Sequence, residues 1–120
     1  MFERQRMTHF PNPQPGNRAT RAKPESSLKV DLRPQDGQPT SANLLEVSST
    51  GGLLMLAEPL SEGELVEMTI QSEWGKVHGM GEMLTVRSRQ ISGHLQAFRF
   101  LALEDKDHER LLRALNSLPH

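Results

Sequence analysis

The chain has 120 residues and 35% hydrophobic content, enough for one modest core and too little for two. It contains no cysteine, which excludes disulfides, thiolate metal sites and a thiol nucleophile. The formal net charge of −1 hides a basic start, because residues 1–30 carry six Lys/Arg against two Asp/Glu while the remainder carries eight against thirteen. Such an arm fits closure over an anion or plain solubilising sequence, and charge alone favours the second.

No apolar run nears the roughly 20 residues that span a bilayer. The opening MFERQRMTHF lacks the apolar stretch of a secretion signal. A soluble, cytoplasmic protein without membrane insertion is expected.

Residues 1–24 contain Pro11, Pro13, Pro15, Gly16 and Pro24 and almost no apolar periodicity, so they read as a flexible, basic, Pro-rich arm ahead of a folded domain over 25–120. From Ser27 the pattern alternates. Leu28, Val30 and Leu32 share one face of a first strand, with Lys29, Asp31 and Arg33 on the other. A turn at Pro34, Asp36, Gly37 and Pro39 leads to a second strand from about Thr40 to Val47. Ser48-Ser49-Thr50-Gly51-Gly52 breaks it tightly, and a third strand runs from Leu53 to Ala57. After the turn at Pro59–Gly63, Leu65 to Gln71 forms a fourth strand whose consistently apolar set, Val66, Met68 and Ile70, should face inward. Lys76 to Arg89 reads as a long fifth strand and Leu95 to Leu103 as a sixth, joined at Ser92-Gly93. Six strands at this spacing predict a mainly β fold, a closed or nearly closed antiparallel barrel. The period then changes: Leu111, Leu112, Leu115 and Leu118 recur at helical spacing behind Asp105 and Asp107, both candidates for the helix cap. One C-terminal helix should pack on the barrel.

Few residues carry chemistry. The five histidines, His9, His78, His94, His108 and His120, have no metal-ligand spacing. Gly79-Met80-Gly81 lacks the third glycine and following helix of a dinucleotide loop, so close strand packing or a bulge explains it better. Trp74 reads as a packing residue at a strand connection rather than a stacking platform. No nucleophile elbow or phosphate-binding Walker loop is present, and no cofactor is expected. The informative stretch is Asn43 to Met55, where Glu46, Ser48 and Gly51 place a carboxylate, a hydroxyl and a sharply turned backbone between two apolar strands. A carboxylate accepts from the N–H edge of guanine, a hydroxyl bonds phosphate oxygen, and glycine admits close backbone approach. The same serine and glycine equally make an ordinary β-turn.

This stretch resembles the signature of the PilZ family: Asp or Asn, any residue, Ser, two residues, then Gly, usually followed by a second Gly and an apolar strand. The matching positions are Glu46, Ser48 and Gly51, with Gly52-Leu53-Leu54 after them. The likeness continues through Leu60-Ser61-Glu62-Gly63 and Phe98-Arg99-Phe100-Leu101-Ala102-Leu103, covering roughly residues 18–118. It implies a six-stranded barrel with a C-terminal helix and a receptor for cyclic di-GMP. The family's second motif, two arginines with three residues between them before the first strand, is represented by Arg18 and Arg21, with only two residues between them and Lys23 just beyond. In the family these arginines fold over the ligand, their guanidinium groups pairing with phosphate oxygens and the guanine edge. Glu46 departs from the motif by one methylene.

The resemblance therefore implies a non-enzymatic receptor that binds cyclic di-GMP through Arg18, Arg21, Glu46, Ser48 and Gly51 and relays the signal to a protein partner. The alternative is a degenerate PilZ domain that does not bind the dinucleotide and acts through protein contacts. Nucleic-acid binding ranks third, because the body is acidic and holds no Tyr and only four Phe for stacking. An enzyme ranks last.

Overall fold

Alternating apolar residues need a surface on which every second side chain is hidden, and six such strands hide them by curling into a cylinder. The computed structural model describes residues 28–72 and 75–117, with side chains through Leu115. Its elements are β1 (Leu28–Pro34), β2 (Thr40–Val47), β3 (Gly51–Leu56), β4 (Leu65–Ser72), β5 (Gly75–Gln90), β6 (Gly93–Leu103) and α1 (Asp105–Ser117). All neighbouring pairs are antiparallel, and the order β1-β2-β3-β6-β5-β4 closes into a barrel through the β1–β4 pairing. The strands expected from alternation are all found, with β3 starting two residues earlier than Leu53 and β5 and β6 meeting in a tighter hairpin. The arm 1–24, Trp74 and Leu118 lie outside the described residues.

The barrel interior is the core. Val30 and Leu32 enter it from β1, Leu44 from β2, Leu54 and Leu56 from β3, and Val66, Met68 and Ile70 from β4, as the alternation predicts. Phe98 and Phe100 of β6 meet edge to face with ring centroids 5.2 Å apart, an arrangement that aligns the positive ring edge with the negative face. Gly79 and Gly81 are where strands come too close for a side chain: a Cβ would lie 2.5 Å from Leu103 Cδ2 and 2.6 Å from Met68 Sδ, respectively. The β5–β6 register also shifts between Met80 and Gly81, so close packing and a bulge both account for this pair of glycines.

Among the described residues one polar side chain lies wholly inside. Gln96 is fully buried, and its amide accepts from Leu60 N–H (2.9 Å) and donates to the carbonyls of Leu60 (2.7 Å) and Leu84 (2.9 Å). It ties the β3–β4 connection to the barrel wall, and these three bonds offset the desolvation of the amide. Alternation alone does not distinguish it from an exposed glutamine.

Helix α1 lays Asp107, Leu111, Ala114 and Leu115 on its buried face, an i, i+4, i+7, i+8 row. Leu112 falls one step round the helix from Leu111 and is 40% exposed, so it does not belong to the docking row that leucine spacing alone suggests. Neither expected aspartate caps the helix. The first helical bond runs from His108 N–H to the Glu104 carbonyl (2.8 Å), which places Glu104 at the cap, with Asp105 and Asp107 in the first turn where negative charge meets the positive end of the dipole. Asp107 Oδ1 accepts from Arg110 Nη1 (3.3 Å), whereas its buried Oδ2 has no hydrogen bond of good geometry. Burial pushes this carboxyl above its ordinary value and Glu104 adds to the push, while the His78 backbone N–H and the charges of Arg110 and His78 pull it back.

These contacts set two expectations. Leu115→Ala should cost about 2–5 kcal/mol, and Leu112→Ala less than about 0.5 kcal/mol, as for other exposed positions; urea denaturation of both variants checks this. Because Asp107 binds a proton more readily folded than unfolded, its contribution to stability is present below the ordinary carboxylate range and lost as pH rises through the raised folded value. Asp107→Asn should therefore raise the melting midpoint at pH 7, with the gap to the parent protein closing as pH falls. Midpoints that coincide at every pH would show a carboxyl indifferent to folding.

Candidate functional site

The site expected around Glu46 depends on a break in the alternation of β2. Strict period two would place Glu46 on the same face as Ala42 and Leu44, inside the core. The β2–β3 register shifts between Leu44, which faces Leu54, and Glu46, which faces Leu53, leaving one extra residue on β2. That bulge reverses the parity, so Leu44 and Val47 both point inward and Glu46 is turned to the half-buried outer surface beside Leu53. A carboxylate is thereby kept out of the hydrocarbon interior, where it would carry a large desolvation cost.

The chain then turns through Ser48–Gly51. Ser48 N–H donates to the Gly51 carbonyl (2.7 Å), and its hydroxyl accepts from Thr50 N–H (3.2 Å), contacts the Thr50 hydroxyl (3.2 Å) and donates to the Gly51 carbonyl (3.3 Å). Ser48 is only 4% exposed. The turn is anchored to the opposite strand by Phe100 N–H donating to the Thr50 carbonyl (2.8 Å). The glycines are required by this docking: a Cβ on Gly51 would lie 2.2 Å from the Phe98 carbonyl and one on Gly52 2.3 Å from the Glu46 carbonyl. Both contacts are with backbone and cannot be relieved by rotating a side chain.

Glu46, Ser48 and Gly51 are thus brought together on one rim, while Arg18 and Arg21 lie outside the described residues. Two residues that the sequence reading passed over also reach this rim. Arg99 lies opposite Gly51 on β6, and Glu82 lies opposite Arg99 on β5, the two joined by an ion pair. The signal for them was register, which a single sequence does not reveal. A separate trough of about 640 Å³ lies away from the rim, among Lys29, Asp31, Arg33, Lys76 and His78, with His78 Nδ1 and Thr69 Oγ1 3.1 Å apart. Its charges are mixed in sign. Among the described residues no group of three His, Cys, Asp or Glu side chains is arranged to hold a metal, and no helix is long and apolar enough to cross a membrane.

A closed six-stranded antiparallel barrel, a helix laid against β5 and a bulged strand leading into a Ser-x-x-Gly turn define a small single-barrel domain with one elaborated rim. The chain belongs to the PilZ domain family, whose family model matches residues 17–117. The PilZ domain of YcgR from Escherichia coli, solved with c-di-GMP, is similar in fold, with a TM-score of 0.73, 21% identity, and coverage of 86% of this chain and 91% of that one. MrkH of K. pneumonia in its apo state gives a TM-score of 0.69 at 19% identity over 90% of this chain and 52% of its own. The inhibitor of motility MotI/DgrA of Bacillus subtilis gives 0.65 at 15% identity over 83% and 50%. The match therefore spans about half of the MrkH and MotI chains. No curated protein matched the sequence.

The geometry of the turn predicts that Gly51→Ala costs about 1–3 kcal/mol through overpacking against the β6 backbone. Ser48→Ala should cost about 1–2 kcal/mol, since it leaves Thr50 N–H without its acceptor. Chemical denaturation measures both, and a Gly51→Ala variant as stable as the parent would mean that β3 and β6 do not meet at this register.

Proposed function

We propose that this chain is a non-enzymatic receptor for cyclic di-GMP, with the dinucleotide held against the outer face of the β2–β3 rim. The observation that carries the reading is the bulge that turns Glu46 outward beside the Ser48–Gly51 turn. The similar fold of the YcgR domain solved with c-di-GMP supports it. In this reading Glu46 accepts from a guanine edge, and Gly51, buried against the β6 backbone, fixes the turn that presents Ser48. The bond from the Ser48 hydroxyl to the Gly51 carbonyl, at 3.3 Å, is long for O–H···O. That proton can swing to a phosphate oxygen while the oxygen keeps its bond from Thr50 N–H. Arg18 and Arg21 supply guanidinium groups to the phosphates, offsetting the two ligand charges. The occupied surface is then read by a protein partner in the cytoplasm; no DNA or RNA contact, cofactor or membrane insertion enters this reading.

A second reading keeps the barrel as a protein-interaction module without ligand. It is favoured by the fact that the turn itself accounts for Ser48, Gly51 and Gly52.

Calorimetric titration with cyclic di-GMP separates the two. Binding is expected, and Arg18→Ala or Arg21→Ala should weaken it by about 1.5–3 kcal/mol, the range for hydrogen bonds to charged groups. Glu46→Asp should leave affinity equal or improved, because it shortens the carboxylate arm to the family's length. Amide exchange across 18–23 should slow at saturating ligand. Absence of heat at millimolar ligand in both the parent and Glu46→Asp would discard the receptor in favour of the interaction module.

A further inference from the structure

The rim is acidic on the barrel side. Glu46 lies on it, and Glu82 lies on the same outer surface two strands beyond β3. Within this patch Arg99 is the cation built into the barrel wall: its neighbours Phe98 and Phe100 point into the core, so its own side chain points out, and it is 50% exposed. Gly51, Arg99 and Glu82 form one row across β3, β6 and β5, and Glu46 pairs with Leu53 in the adjacent outward row. Because neighbouring strands are about 4.8 Å apart, the backbones at Glu46 and Arg99 are separated by roughly 10 Å or more, with the side-chain-free Gly51 between them. Two long side chains of opposite charge thus flank the start of β3 on the outer surface.

We infer that Arg99 is a phosphate-binding cation of this rim, presented by the rigid sheet, and that Glu82 is its exchangeable counter-ion. The inference rests on the cyclic di-GMP reading and deepens it. In the free protein Arg99 Nε donates to Glu82 Oε1. An ion pair this exposed contributes little to stability, so its exchange for a phosphate is inexpensive. The guanidinium keeps further N–H groups after one is committed to Glu82, and a phosphate offers more acceptor oxygens than one carboxylate. Glu82 opposes ligand binding twice, by competing for Arg99 and by repelling the phosphate. It also keeps Arg99 extended along the sheet when no ligand is present.

The test is calorimetric titration of the full chain with cyclic di-GMP, using the parent protein, Arg99→Ala, Glu82→Gln and the double variant. Melting midpoints would be recorded for each, and Arg99→Gln would replace Arg99→Ala should the latter fail to fold. Arg99→Ala is expected to weaken binding about tenfold, the loss of one charge-assisted hydrogen bond. Glu82→Gln is expected to tighten it by a few-fold in the parent background and by distinctly less when Arg99 is absent. A purely structural pair would lower the midpoint and leave that coupling at zero. Affinity unchanged in both single variants would overturn the inference and leave the receptor reading intact. Equal tightening by Glu82→Gln with and without Arg99 would also overturn it, reducing Glu82 to simple repulsion. No binding by the parent or by Glu82→Gln would remove both the inference and the reading beneath it.

Discussion

Everything else in the molecule depends on the contact of β3 with β6, the pairing that joins strands far apart in sequence and helps close the sheet into a barrel. It is an unusually tight contact. At Gly51 the two backbones approach so closely that even a methyl group is excluded, and the carbonyl of Thr50 reaches across to Phe100 N–H. With that seam closed, the phenylalanines on either side of Arg99 are driven into the barrel and the turn before β3 is fixed at the rim. The residues that make the fold possible and those that line the candidate site are consequently the same few positions. The Ser-x-x-Gly pattern has a sufficient structural reason to exist before any ligand is considered.

The parts of the fold legible in the sequence were those in which one rule acts alone. Val66, Met68 and Ile70 alternate without interruption, and their strand and inward face follow from period two. Glu46 shows the limit of that rule, since the parity of β2 is reset by one extra residue whose signature, Leu44-Leu45, is no more than two adjacent apolar side chains. Gln96 shows another: its partners are 36 and 12 residues away, and nothing local announces them. The helix was legible in period but not in phase, because leucine spacing includes Leu112 while the buried row runs through Asp107, a charged residue no hydrophobic pattern selects. Its expected caps, Asp105 and Asp107, lie one and three residues beyond the true one for a related reason, as Asp is a stronger statistical cap than the Glu104 that holds the position here.

On the proposed reading, the site has a part the barrel holds fixed and a part supplied by Arg18 and Arg21. The fixed part is set by backbone bonds and glycine contacts, so its shape is determined before any ligand arrives. Glu46 and Glu82 lie on it beside Arg99, so on that reading an anionic ligand draws its remaining cations from Arg18 and Arg21. Such a division lets one surface recognise shape while another responds to charge, which is the separation that a switch requires.

Strand β5 has a further property. It pairs with β6 only from Gly79 onward, so its first residues, Gly75 to His78, have β4 on one side and, among the described residues, no strand on the other. Helix α1 fills the gap with side chains: Arg110 Nη1 donates to the Lys76 carbonyl (3.2 Å), and Asp107 lies beside the His78 N–H. An arginine and an aspartate one helical turn apart thus imitate the donor and acceptor of a missing seventh strand. This stretch would otherwise offer free main-chain groups to the strands of other molecules. The helix in this sense covers an otherwise open strand end, and a substitution that loosened it would leave those main-chain groups open to pairing with other chains.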